Sequence, residues 1–254
     1  MTPDFLGVLT MALAAPFIGS FLGTLAIRLP EGQPVLFGRS ACPSCGKTLG
    51  ARELIPFASW LLQRGRCRGC GARISYFYPA MELGALAVVL WAASQTTGAI
   101  FFISCGLGWL LLALAAMDAR TMRLDDRLVA LVAAGGLATT WFFMRGELVA
   151  HLIGGAAGFA LLAGISLAYR HLRKRDGLGL GDAKLFGAAG LWLGWPSLVS
   201  VLLLASMSGL AFVLVAAALG QRFGRTSALP FGPFIALGFW IVWLHGPLEP
   251  QWFS

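Results

Sequence analysis

Two aspartates stand at the ends of apolar runs in this chain, where a charge is costly. Asp118 closes the run Leu110-Leu-Leu-Ala-Leu-Ala-Ala-Met-Asp118. Asp182 closes the glycine-rich run Gly177-Leu-Gly-Leu-Gly-Asp182. Ionisable groups at membrane depth point to function by default. Taken singly, each has an ordinary reading: Asp182 as a helix N-cap, Asp118 as the partner of Arg120 or Arg123. Taken together they suggest chemistry. Two carboxylates brought face to face share one proton, which is what aspartyl proteolysis requires. One carboxylate takes a proton from water while the other protonates the scissile carbonyl. Gly179 and Gly181 would let a peptide backbone come close to Asp182. Asp125, Asp126 and Glu82 are the other informative acids, the two aspartates as supporting residues. Asp4, Glu31, Glu53, Glu147, Asp176 and Glu249 read as solvated surface.

A second constellation is made of cysteine. Cys42-Pro-Ser-Cys45 and Cys67-Arg-Gly-Cys70 are two Cys-x-x-Cys knuckles. Each short turn presents two thiolates, and four complete the tetrahedron of a zinc site. Gly46 and Gly71 follow the knuckles, where such turns often need a permissive backbone. Two disulfides are the alternative, disfavoured in a reducing compartment, and a redox role is a third reading. A four-ligand site is closed, so the zinc would be structural. Cys105 lies in an apolar run and reads as a packing residue.

The elements that must position these groups are membrane helices. Hydrophobic residues make up 58% of the 254-residue chain and charged residues 12%, against about 25% charged in soluble domains. A spanning helix takes about 20 apolar residues. The candidate spans are 5–27, 78–95, 98–117, 127–143, 148–169, 183–194, 197–219 and 230–246. The expected fold is therefore all-α and polytopic, with about eight transmembrane helices and a small cytoplasmic zinc-binding insert after the first. Three regions follow: the first transmembrane helix (1–28), the tetracysteine insert (29–77) and the helix bundle carrying the aspartates (78–254). Residues 5–28 are too long for a signal-peptide core and lack a basic flank, so they read as a span.

The net charge of +8 does not indicate nucleic acid, because its basic residues fall in short segments between apolar runs. With the N-terminus outside, segments 28–77, 118–127, 170–184 and 220–229 hold every Lys and Arg except Arg145. That satisfies the positive-inside rule and puts both aspartates at the cytoplasmic edge. The basic run 169–175 reads as a topology anchor touching anionic lipid.

At this point the residues resemble a family, the type IV prepilin peptidases. Gly179-Leu-Gly-Asp182 is similar to the GxGD motif of intramembrane aspartyl proteases. Asp118-Ala-Arg-Thr-Met-Arg-Leu-Asp-Asp126 resembles the other catalytic segment, with Asp125 where that family usually has proline. Gly19-Ser-Phe-Leu-Gly-Thr-Leu-Ala-Ile-Arg-Leu-Pro30 is similar to the first-span signature, with Gly23 in place of asparagine. The cysteine knuckles, Pro56-x-x-Ser-Trp60, Arg64-Gly-Arg-Cys67, Tyr78-Pro-x-x-Glu82 and Pro230-Phe-Gly-Pro233 fit the bacterial zinc-containing branch. The resemblance implies catalysis by Asp118 and Asp182 in the bacterial inner membrane. It implies removal, after a glycine, of the basic leader of type IV prepilins or type II secretion pseudopilins. It also implies, for many members, N-methylation of the new terminus with S-adenosylmethionine. No glycine-rich nucleotide fold is legible, and no residue is read as the donor site. Glu82 is a candidate for that site or for orienting the substrate amine; its ordinary reading is a helix-end cap near Arg73.

Two other classes stand beside this one. Intramembrane acids also serve proton relays, so a proton-coupled transporter with a zinc-stapled regulatory loop is the alternative, although transporters show internal repeats that this chain lacks. A non-enzymatic assembly factor docking partners through the basic insert is the third. His151, His171 and His245 are scattered, and no His-Glu-x-x-His is present, so a zinc protease has no support.

Overall fold

The computed structural model describes residues 5–35, 40–174, 177–221 and 229–248. Asp4, Arg175, Asp176 and Glu249, and residues 222–228 of the last basic segment, lie outside them. Among the described residues the chain is helical, and pairing of extended backbone is limited to isolated bridges, Ala41 with Thr48 and Arg66 with Arg73. The helices are α1 (Phe5–Arg28), α2 (Ala58–Leu62), α3 (Phe77–Gln95), α4 (Gly98–Thr121), α5 (Asp126–Phe143), α6 (Leu148–Arg173), α7 (Leu180–Leu193), α8 (Leu198–Ala218) and α9 (Gly232–His245).

Five helical stretches are long and apolar enough to cross a membrane: α1, α3, α4, α6 with its preceding turn, and α8. Their outward side chains are apolar too; Leu6, Leu13 and Phe17 of α1 are more than half exposed. A helix hydrophobic on its exposed face is built for lipid. The eight expected spans each coincide with a helix. However, α7 and α9 have only 14 residues, about 21 Å at 1.5 Å per residue. The structure also moves one boundary. The sixth segment was expected to begin at residue 183, but α7 starts at Leu180 and takes Asp182 into its first turn.

The chain forms two compact units, Met1–Ala113 and Leu114–Ser254, with α4 running from the first into the second. In the first, α1 and α3 touch backbone to backbone. A Cβ on Gly19 would stand 2.5 Å from Met81 O and 2.7 Å from Glu82 Cα. Small residues permit this close approach where lipid gives helices no hydrophobic reason to associate. Trp109 Nε1 donates to Ala85 O at 3.1 Å, joining α4 to α3.

In the second unit α7 is the central helix, with nine of its 14 residues buried. Trp192 crosses Gly136 of α5 and donates from Nε1 to Val132 O at 2.7 Å. Its ring meets Trp243 of α9 edge-on, with centroids 5.0 Å apart. Gly190 faces the backbone of Gly154 and Gly155 in α6 so closely that no side chain fits between them. α8 closes on α9 in the same way, where a Cβ on Gly238 would lie 2.7 Å from Val201 O.

Candidate active site

Three helix ends build the site, all in the second unit. Asp118 lies in the last turn of α4, Asp182 in the first turn of α7, and Gly232 opens α9. The two aspartates, far apart in sequence, are only 5% and 7% exposed. Asp118 lies within electrostatic range of Asp182.

Asp118 Oδ2 accepts the Gly232 amide at 2.9 Å. The first amides of a helix have no intrahelical acceptor, so α9 offers a donor that the carboxylate uses. Glycine is needed there on steric grounds, because a Cβ would stand 2.8 Å from the same oxygen. The sequence reading took Pro230-Phe-Gly-Pro233 only as the start of the last helix and missed this contact. The available signal was a glycine between prolines at a helix start.

Asp182 Oδ1 is buried and has no hydrogen-bond partner among the described residues. Oδ2 lies against Gly179, where a Cβ would be 3.3 Å away. Asp182 is not the helix cap. Gly179 holds the N-cap position, and its carbonyl accepts the Asp182 amide at 3.1 Å. The turn is fixed from α6, where Ser166 Oγ donates to Leu178 O at 2.7 Å and the Tyr169 ring covers Gly177. Gly181 faces Leu124, whose Cβ would be 3.0 Å from an added methyl. Leu124 thus takes the space that the sequence alone left for a peptide backbone at Gly181, while Gly179 faces Asp182 itself.

Asp125 is the N-cap of α5, its Oδ1 accepting the amides of Arg127 at 2.9 Å and Leu128 at 3.3 Å. Asp126 pairs with Lys184 at 2.7 Å, tying the starts of α5 and α7. Both partners are well exposed, so the pair adds at most about 1 kcal/mol.

Glu82 lies in the first unit. It is buried in the second turn of α3, and its Oε2 accepts the Phe57 amide at 2.9 Å. It is therefore no helix-end cap near Arg73; it ties the insert to α3. Phe57 holds φ 57° and ψ −55°, an unfavourable conformation for a bulky residue that persists where contacts over-determine it.

The four knuckle cysteines are free thiols whose sulfurs all lie within 4.8 Å of one another. Cys42 and Cys70 Sγ are 3.8 Å apart. A tetrahedron with metal–sulfur arms of about 2.3 Å has edges of about 3.8 Å, so the donor set fits a tetrahedral ion and not a disulfide. The two knuckles share one geometry: Cys42 N donates to Lys47 O at 2.9 Å and Cys67 N to Ala72 O at 2.8 Å. Gly46 and Gly71 have φ of 69° and 74°, the permissive positions expected after each pair. The amides of Cys45 and Ser44 hold the Cys42 thiol down to about 6. At Cys70 the Ala72 amide is outweighed by Cys45, burial, Cys42 and Cys67, and the thiol rises to about 11.

Fold and site define a class: a multi-pass helical membrane protein with two buried aspartates at helix ends and an insert whose four cysteines could hold a metal ion. Comparison with known proteins gives the particular family. Residues 13–96 match the bacterial peptidase A24 N-terminal domain, and residues 105–214 match the type IV leader peptidase family. The prepilin leader peptidase/N-methyltransferase of Aeromonas hydrophila is 39% identical over 93% of this chain and 90% of its own length. Those of Burkholderia pseudomallei strain K96243 and Bacillus subtilis strain 168 are 37% and 35% identical, over 87% and 90% of this chain and 80% and 90% of theirs. No solved structure matches. The chain belongs to the type IV leader peptidase family. The transporter alternative finds no support among these relatives.

Proposed function

We propose that this protein is a prepilin peptidase that uses Asp118 and Asp182 as its catalytic pair. The observation that carries the assignment is the burial of both carboxylates at one meeting of helix ends, within each other's field. Asp118 is oriented by the Gly232 amide. Asp182 Oδ1 has no hydrogen-bond partner among the described residues, which leaves it an acceptor for the attacking water. One carboxylate draws a proton from that water as it attacks the scissile carbonyl, and the other gives its proton to the carbonyl oxygen. The tetrahedral diol then collapses: its C–N bond breaks, the proton gained from water goes to the departing nitrogen, and a diol hydroxyl returns its proton to the second carboxylate as the new carboxyl group forms. Gly179, Gly181 and Asp126 support the pair through the turn before α7 and the link to α5.

The substrates are type IV prepilins or type II secretion pseudopilins, cut after a glycine on the cytoplasmic side of their apolar helix. The names of the relatives also support N-methylation of the new terminus; S-adenosylmethionine would supply the methyl group, and no residue here is assigned to bind it. The chain sits in the bacterial inner membrane with eight spans, organised as a first span (1–28), an insert (29–77) and a catalytic bundle (78–254). Zinc on Cys42, Cys45, Cys67 and Cys70 closes the insert and takes no part in the chemistry. The test is mass analysis of a peptide with basic leader, Gly-Phe junction and apolar helix, incubated with purified enzyme with and without S-adenosylmethionine. Asp118→Asn and Asp182→Asn each abolish cleavage while inserting normally. Full processing by either variant overturns the assignment.

A further inference from the structure

The insert exposes apolar side chains that its own small core leaves uncovered. Leu54, Ile55, Leu61 and Leu62 are 42%, 47%, 66% and 77% exposed. All four lie within nine residues of the chain, on α2 and the turn before it. In a helix that crosses lipid such exposure is ordinary. In a loop between helices it asks what covers it.

Depth supplies the answer. α3 has 19 residues, about 28 Å, and the hydrocarbon layer is about 30 Å thick. It has no length to spare, so Phe77 marks one boundary of that layer. Glu82 lies five residues further along, about 8 Å deeper. The Phe57 amide is bonded to Glu82 Oε2, so the insert backbone comes within a side chain's length of that level, no higher than about the plane of Phe77. Leu62 is five helical residues from Phe57, and Leu54 three residues, about 10 Å even when fully extended. Both therefore stay within about 10 Å of the plane of Phe77. The exposed leucines and isoleucine are held in the interfacial layer by a bond to a buried carboxylate.

Charge points the same way. Residues 29–77 hold seven basic residues against two acids, and one of those acids, Glu53, is already paired with Lys47 at 3.1 Å. Arg52, Arg64 and Arg66 flank the apolar segment and are exposed. Apolar side chains with arginines beside them are the composition of an interfacial anchor on anionic lipid.

We infer that Leu54–Leu62 is a membrane-surface anchor that seats the cysteine insert on anionic phospholipid beside α1 and α3. The anchor rests on α1 and α3 being membrane spans and is independent of the catalytic assignment. It sets the height of the metal cluster over the bilayer, because the second knuckle begins five residues after Leu62.

The experiment uses the full chain with p-benzoylphenylalanine at position 62, reconstituted in vesicles of phosphatidylcholine alone or mixed with phosphatidylglycerol. Photolysis yields lipid adducts at that residue, with phosphatidylglycerol over-represented relative to its share of the vesicle. Arg64→Gln with Arg66→Gln removes that enrichment and leaves adducts with phosphatidylcholine. In parallel, hydrogen exchange of residues 54–62 in the unlabelled protein is slowed by vesicles, and Leu61→Ser with Leu62→Ser restores fast exchange while the metal content stays unchanged. Cross-links confined to protein, or exchange in 54–62 equal in detergent and vesicles, overturn the anchor. Leader cleavage is measured on the same samples, so failure of the anchor and failure of the peptidase reading are separately visible.

Discussion

Replacing Gly232 with alanine tests the site at a residue that carries no functional group of its own. The added Cβ would stand 2.8 Å from Asp118 Oδ2, 3.0 Å from Cγ and 3.2 Å from Cβ. Ordinary contact begins near 3.4 Å, so carboxylate and helix start must separate by about 0.6 Å. Asp118 is buried, and its short side chain has little room to retreat. Catalytic groups need placement to about 0.5 Å, and a misplacement of 1 Å costs on the order of a hundredfold. The amide bond at 2.9 Å is lengthened as well; a hydrogen bond to a charged group contributes about 1.5–3 kcal/mol, roughly tenfold to a hundredfold in rate. Gly232→Ala should therefore lower kcat for leader cleavage by about one to two orders of magnitude. KM should move less, because the Gly232 contact is to the carboxylate and not to substrate. Helix propensity alone favours the alanine, so a weaker α9 is not the expected cause. The assay is initial-rate cleavage in proteoliposomes, normalised to inserted protein. A kcat within twofold of wild type would show that the Gly232 amide does not position Asp118 for the reaction.

The other predictions concern what holds the site in place. Gly190→Ala drives a methyl into the backbone of Gly154 and Gly155; overpacking costs about 1–3 kcal/mol or more, so thermal unfolding in detergent should drop by several degrees, and an unchanged midpoint would refute the close α6–α7 contact. Cys42→Ser removes one of four sulfurs from the cluster and should take the chain from one bound zinc to a weakly held fraction, read by metal analysis after dialysis; full zinc retention would count against the tetrahedral site. Glu53 is held below the ordinary glutamate value by the Gly50 amide and by Lys47. Its contribution to the first knuckle is thus complete above the unfolded value and lost as pH falls through the lower folded one. Hydrogen exchange at Gly50, corrected for its intrinsic pH dependence, should be slower in wild type than in Glu53→Gln near neutrality, with the gap closing in acid. A gap that persists unchanged in acid would be inconsistent with a carboxylate origin.

The sequence shows the elements of this protein more clearly than their junctions. The apolar runs that yield α1, α3, α4, α6 and α8 follow from composition, because lipid leaves a spanning segment no other structure. The cysteine spacing likewise predicts the sulfur cluster, since each knuckle is local and its glycines take the positive φ that the turn demands. What sequence cannot supply is register between helices. α7, which carries Asp182, is set by Trp192 across Gly136 and Gly190 across Gly154, contacts between residues that look like anonymous apolar filler, and Asp118 is set by the Gly232 amide of α9. Glu82 was legible as unusual but not in its role, because its partner is a backbone amide. Gly232 was harder still, since its contribution is also an amide.

α7 shows why the site is at one end of this helix and not the other. On the proposed eight-span topology this helix, at about 21 Å, is shorter than the hydrocarbon layer of about 30 Å, so at least one of its ends would lie below the surface. Lipid offers such an end no hydrogen-bond partner, and protein must. At the C-terminal end Gly190 O accepts the Gly194 amide and Leu193 O accepts the Ser197 hydroxyl. Trp195 N donates to Ala150 O at 3.2 Å, and His151 Nδ1 and Thr140 Oγ1 lie 3.0 and 3.2 Å from Leu191 O. The Asp182 end has the one buried side-chain oxygen among the described residues left without a partner. An unmet buried acceptor costs about 1–3 kcal/mol, and the same packing that satisfies the far end has not removed it. Hydrolysis within a membrane needs a water beside its carboxylates and is endangered by water elsewhere. α7 finds partners near one end and keeps an unmet carboxylate oxygen at the other, where the proposed reaction would consume a water.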